Sequence, residues 1–188
     1  MNILIINGSL GGASGNTSVI IEAASKFITA HAAHFEIIHL ENAKKEDMKS
    51  KLSWAHGFIF TSGTYWDSWG SPMQKFLEDS TQFENSDLFF GKPAGVVITM
   101  HSVGGKGVLS RLQGVLNTMG VLIPPMSGMV YSLTGHIALK NEEHDFGEDF
   151  WSLDDLEIIV HNLMTAVNKK TNYKAWPVDK KDPKRRWL

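Results

Sequence analysis

The 188-residue chain contains no cysteine. Disulfides, thiol nucleophiles, CxxC redox motifs and cysteine-ligated iron–sulfur clusters are thereby excluded. No apolar run approaches the roughly 20 residues that span a bilayer, so membrane insertion is not expected. Residues 1–7 lack a basic start and their apolar run is too short for a secretory signal, which makes the cytoplasm the expected location. Neither sign of charge is in excess: 18 Lys and Arg stand against 20 Asp and Glu, and a net charge of -2 gives no sign of nucleic-acid binding. No lysine stands between Asn2 and Ser25, so the GxxxxGK[ST] loop of nucleoside triphosphatases is missing. No GxSxG elbow occurs, which argues against an α/β-hydrolase. The chain has no internal repeat and no low-complexity tract.

What is present fits one globular α/β domain: 43% of residues are hydrophobic and 20% charged, enough for a substantial core. Short apolar runs at 3–6, 35–40, 57–61, 94–100 and 121–123 read as strands. Between them Val19, Ile20, Ala23, Ala24, Phe27 and Ile28 recur at helical spacing, as do Val108, Leu112, Val115, Leu116 and Met119. A helix is expected from about Pro72, with Ser71 as its cap and the proline at its first position. A weaker one, about 45–55, has only Met48, Leu52 and Ala55 as an apolar stripe. The last helix is expected to begin at Ser152, with Asp155 completing a capping-box variant, and to bury Leu153, Leu156, Val160, Leu163 and Val167. Strands alternating with helices imply a parallel sheet covered on both faces, with ligands beyond the carboxyl ends of the strands. Residues 127–150 form a long connection of unassigned structure. The domain is taken as 1–170. A polar, basic tail at 171–188, with Trp176 and Trp187 interleaved, is expected to lie outside the core.

Three loops follow strands on the ligand side. The first runs from Gly8 to Ser18, between an apolar strand and an amphipathic helix. Its glycines allow a tight turn, unpaired amides face a ligand, and the helix dipole favours negative charge. Ser9, Ser14, Asn16, Thr17 and Ser18 add side-chain donors suited to phosphate oxygens. The glycine spacing is not GxGxxG, and only an acidic residue near the second strand's end, Glu36 or Glu41, supports a dinucleotide reading. The second loop, 61–72, carries Ser62, Gly63, Thr64, Tyr65, Trp66 and Trp69; aromatics on a loop suit a flat apolar surface such as an isoalloxazine ring. Tyr65 and Trp66 are assigned to the ligand, whereas Trp69 suits either the ligand or packing beneath the following helix. In the third loop, Gly104, Gly105 and Lys106 open a helix after His101, and its amides suit the polar edge of a ring. His101 and Lys106 offer positive charge where a reduced flavin becomes anionic.

These three segments, in order, resemble the NADPH-dependent FMN reductase and NAD(P)H:quinone oxidoreductase group of flavodoxin-like flavoproteins. The resemblance covers roughly the first two-thirds of the chain. It rests on Gly8-Ser9-Leu10 through Ser14 and Asn16, on Gly63-Thr64-Tyr65-Trp66 leading to Ser71-Pro72, and on Gly104-Gly105-Lys106-Gly107 before Leu112 and Gly120. It implies a doubly wound five-stranded parallel sheet of order 2-1-3-4-5, flavin phosphate on the first loop and the ring between the second and third. It also implies a homodimer with active sites near the subunit boundary. Gly11 stands where many relatives carry an arginine, so a contact to phosphate or nicotinamide is missing.

The expected activity is ping-pong hydride transfer from NAD(P)H through FMN to a quinone, or to an azo, nitro or free-flavin acceptor. FMN is preferred to FAD because the hydroxyl set suits a terminal phosphate. His101 is the candidate catalytic residue, as a stabiliser of the reduced flavin. The alternatives are a flavodoxin-type electron carrier, which the weak net charge does not favour, and a flavin-free binding or regulatory module. No metal is expected, since His31-x-x-His34 lacks an evident third ligand. Asp154, Asp155 and Glu157 read as negative charge at a helix start. Lys180, Lys181, Lys184, Arg185 and Arg186 read as a solvated terminus, or as reaching an NADPH phosphate or a partner subunit.

Overall fold

The computed structural model describes residues 1–140 and 151–177. Five parallel strands form one sheet in the order β2-β1-β3-β4-β5. They are β1 (Asn2–Asn7), β2 (His34–His39), β3 (Gly57–Gly63), β4 (Ala94–Met100) and β5 (Gly128–Ser132). The helices are α1 (Ser18–Ala30), α2 (Lys45–Trp54), α3 (Ser71–Ser80), α4 (Gly105–Thr118), α5 (Leu133–Lys140) and α6 (Leu156–Val167). This is the flavodoxin-like doubly wound fold, in which the strand order reverses between β1 and β3.

Alternation along β1 shows why both faces need cover. Ile3 and Ile5 pack against Ile21, Ala24 and Ile28 of α1 and Val160, Leu163 and Met164 of α6. Leu4 and Ile6 point the other way, to Leu52 of α2, Met73 and Phe76 of α3 and Leu112 of α4. A strand buried on both faces reads as a continuous apolar run, and 3–6 is one. The α2–α4 face has an aromatic centre: Phe58, Phe60, Phe76 and Phe89 are fully or almost fully buried, with ring centroids 5.7 to 6.3 Å apart in successive contacts.

The fifth strand differs from expectation. Leu122 only bridges Pro93 beside the start of β4. Pro124 and Pro125 then bar a ladder, because proline has no N–H to donate, and Met126 turns the chain with φ of 53°. The true β5 follows and pairs with Val96–Met100. The connection at 127–150 thus begins with a strand and α5, and its part at 141–150 lies outside the described residues. Two helix starts also differ. Gly70, not Ser71, is the cap of α3, although Pro72 does occupy its first turn. The helix α6 begins at Leu156 with Asp155 as cap. The reciprocal contact survives as a Ser152 N–H donated to Asp155 Oδ2 at 2.6 Å.

Trp176 of the segment 171–177 donates its indole N–H to Glu84 at 3.2 Å, and its carbonyl accepts from Asn85 at 3.3 Å. Trp187 and the basic cluster from Lys180 to Arg186 lie outside the described residues. Among the described residues, no helix is long and apolar enough to cross a membrane.

Phe58 touches Phe60, Phe89 and the Lys92 ammonium, 5.7 Å from its ring centroid. Phe58→Ala is expected to lower unfolding free energy by about 3–5 kcal/mol in a urea titration.

Candidate functional site

The loops after β1, β3 and β4 meet on one rim and enclose a cleft of about 250 Å³. Its lining includes Ser9, Gly11, Gly15 and Asn16 from the first loop, Gly63, Thr64 and Tyr65 from the second, and Met100 and His101 from the third. Thr99, Tyr131 and Leu133 complete it.

Asn7, the last residue of β1, holds the first loop in shape. It is fully buried. Its amide nitrogen donates to the Gly12 carbonyl at 2.8 Å and to His39 Nδ1 at 3.0 Å. An amide nitrogen has no lone pair to offer, so His39 Nδ1 is the acceptor. The Asn7 carbonyl oxygen accepts from the Ser9 N–H at 3.1 Å and the Thr17 hydroxyl at 3.0 Å. One side chain therefore spans both ends of the turn. Gly8 N–H bonds the Thr61 carbonyl at 2.8 Å, which ties the loop to β3.

The donors left over are backbone groups. Asn16, Thr17 and Val19 N–H groups have no acceptor among the described residues, as the first turn of a helix requires. Gly11 and Gly15 lie against each other there: a Cβ on Gly11 would stand 2.6 Å from Gly15 Cα, and one on Gly15 3.0 Å from Ser9 Oγ. Ser9 Oγ accepts from Gly11 N–H at 3.3 Å and lies 3.4 Å from the Tyr65 hydroxyl, which joins the first loop to the second.

The second loop is a tight hairpin. Tyr65 and Ser68 exchange two backbone hydrogen bonds, 2.8 and 2.9 Å, around Trp66 and Asp67. Both central residues are left-handed, with φ of 48° and 56°, as in a type I′ turn that favours Asn-Gly. Trp66 is strained there and wholly exposed at the tip. Asp67 is gripped from α4: Arg111 donates to its carbonyl, and its carboxylate lies over Gly104, where φ is +84° and a Cβ would meet it at 2.1 Å. An acidic side chain at a helix N-terminus is favourable.

Of the expected contact residues, Ser9, Asn16, Gly63, Thr64, Tyr65 and His101 line the cleft. The others do not. Thr17 is buried and committed to Asn7. Ser62 is buried, accepts from Gly70 N–H at 3.0 Å and donates to the Gly63 carbonyl at 3.1 Å, so it braces its loop. Ser18 opens instead into a groove of about 650 Å³ between α1 and β2, and exposed Ser14 is outside the cleft lining. Trp66 points to solvent. Gly105 is a packing glycine, since a Cβ would meet Val130 Cγ1 at 2.3 Å. Lys106 holds its ammonium 5.4 Å from the Trp151 ring centroid. Trp69 packs on the α2–α4 core and donates to Gln74 at 2.9 Å. Glu36 is paired with Lys51. Asn7, Thr99 and Tyr131 were not singled out from sequence. Tyr131 went unnoticed because its strand was placed too early; the asparagine closing an apolar strand before a glycine was a readable signal.

A family model described as NADPH-dependent FMN reductase matches residues 1–132. The chain belongs to that family. Its cofactor is FMN and its co-substrate NAD(P)H. No curated protein matches by sequence. Among solved structures, the WrbA-like flavodoxin of Agrobacterium tumefaciens is 20% identical with a TM-score of 0.66, over 90% of this chain and 99% of that one. An NADH:FMN oxidoreductase (EmoB) in its apo form is 19% identical with a TM-score of 0.64, over 88% of both chains. The Flv1 flavodiiron core of Synechocystis is 20% identical with a TM-score of 0.66; 89% of this chain aligns, spanning 36% of that longer one. At these identities the likeness concerns fold.

The cleft of this FMN reductase family member suits the cofactor on its own chemistry. Spare amides and small glycines stand in the first loop, where a phosphate needs donors and close approach. Tyr65 and Tyr131 also line the cleft, with the Tyr65 hydroxyl 3.4 Å from Ser9 Oγ. Asn7→Ala is expected to cost about 2–3 kcal/mol of stability and to weaken FMN binding at least tenfold, read by urea titration and by flavin fluorescence quenching. Trp66→Asn should relieve the left-handed strain and raise Tm by about 2–4 °C in a thermal melt.

Proposed function

We propose that this protein is a ping-pong NAD(P)H oxidoreductase that reduces a quinone or a related small acceptor. One observation supports the reading: loops from three neighbouring strands share a single cleft at the switch point, lined by the glycine-rich first loop and by Tyr65 and Tyr131. A single cleft makes nucleotide and acceptor take turns, so the oxidised nucleotide leaves before the acceptor enters.

Bound FMN supplies the hydride chemistry. The chain positions and polarises. Ser9, Asn16 and the amides opening α1 would hold the phosphate, and Gly63, Thr64, Tyr65, Met100 and Tyr131 would bound the ring. His101, exposed at the third loop, would donate toward negative charge that develops there. Burial pushes the Tyr131 phenol above its ordinary pKa. It therefore stays protonated at neutral pH and serves as a hydrogen-bonding group, not a proton carrier. The family resemblance supports a homodimer. A groove of about 620 Å³ beside the second loop, between α3 and α4, lined by Trp69, Leu77, Val115 and Met119 with Glu78 and Arg111 among its polar residues, would serve that contact.

The test is steady-state kinetics of the FMN-loaded protein with NADPH and a water-soluble quinone. Parallel double-reciprocal lines are expected, together with anaerobic bleaching by NADPH and recovery of the flavin spectrum on adding quinone. Intersecting lines would refute the alternating order. Failure of NADPH to bleach the flavin would favour an electron carrier, and failure to take up FMN a binding module.

A further inference from the structure

At the end of α1 remote from the cleft, side chains from two helices converge. His31 caps the C-terminal end of α1. Glu157 and His161 stand four residues apart on α6, on one side of that helix. One potential ligand atom from each lies within 4.8 Å of the other two, and all three side chains are exposed. The imidazole rings of His31 and His161 are 5.8 Å apart between centroids. We propose that His31, Glu157 and His161 form a divalent transition-metal site of the Zn²⁺ class that clips α6 to the end of α1.

Donor chemistry sets the class of ion. Two imidazoles and a carboxylate suit Zn²⁺ and its first-row neighbours, whereas Ca²⁺ and Mg²⁺ need oxygen ligands. With Zn–N bonds of about 2.0–2.1 Å, ligands of one tetrahedral ion lie about 3.3 Å apart. The atoms now lie within 4.8 Å, and all three side chains are exposed and free of core packing that would oppose a rotation. The site stands at the negative end of the α1 dipole and beside the first turn of α6, so the helix dipoles offset each other there and the ligands themselves carry the attraction. Open coordination positions face water.

The sequence pairing of His31 with His34 does not hold. His34 begins β2 and pairs with Asn2; the other ligands come from α6, far along the chain. The thirteen residues of α1 span about 20 Å, so this site and the phosphate loop occupy opposite ends of one helix. The clip is therefore independent of the flavin reading.

The experiment uses full-length, tag-free, FMN-loaded protein, stripped with chelator and titrated calorimetrically with ZnCl₂. One equivalent is expected to bind per chain. His161→Gln and Glu157→Gln should each weaken it at least tenfold, and His34→Gln should leave it unchanged. Saturating Zn²⁺ should raise the wild-type Tm by about 5 °C and leave that of His161→Gln unmoved. Circular dichroism confirms that the variants are folded, as exposed substitutions should be. Absence of stoichiometric binding overturns the proposal. So does binding that survives the His31→Gln/His161→Gln pair, or that is lost in His101→Gln instead.

Discussion

The site depends on Asn7. A glycine-rich loop has no apolar side chains to hold it, and fixing its backbone costs about 1–2 kcal/mol per residue in entropy. A buried carboxamide at the end of β1, with its donors and acceptor occupied, offsets part of that loss. It bonds Ser9, Gly12, Thr17 and His39 together, and the loop takes its form from the sheet. Because β1 is flanked by β2 and β3, this form is set where the strand order reverses and neighbouring loops spread apart. The amides that remain unpaired at the start of α1 are thus preorganised.

Hydroxyl side chains divide into two roles. Thr17 and Ser62 are internal struts, with their hydrogen-bonding capacity turned toward the chain. Ser9 does both, because its oxygen accepts from Gly11 and still borders the cleft. The first loop therefore leaves fewer free hydroxyls than its density of serines and threonines suggests. The second loop is the strained part of the rim. Trp66 and Asp67 hold left-handed backbone in a turn where Asn-Gly would be relaxed, and Arg111 of α4 and its cap Gly104 contact Asp67 there. Contacts from a separate element thus hold the strained turn in place.

Much of the fold was legible because β1, β3 and β4 are apolar on both faces and each is followed by a helical pattern. β5 was not. Its buried residues, Met129, Val130 and Tyr131, make a run too short to outweigh Val121, Leu122 and Ile123, which are equally apolar. Only the Pro124-Pro125 pair argued for the later segment. That misplacement hid Tyr131. Loop positions were legible, yet the direction of each side chain was not: Ser14, Ser18 and Lys106 lie in the right segments but outside the cleft. A hydroxyl that ligates and one that braces look alike in sequence. Asn7 shows the same limit from the other side: an asparagine closing an apolar strand before a glycine flags the position, but its partners Gly12, Thr17 and His39 appear only in the fold.

Diffraction from crystals soaked with FMN addresses the central claim most directly. Phosphate density within hydrogen-bonding distance of the Asn16 and Thr17 amides and of Ser9 Oγ is expected, with the ring bounded by Thr64, Tyr65 and Tyr131. Phosphate density in the groove between α1 and β2, or a first loop whose Asn7 contacts break to admit the ligand, would contradict it.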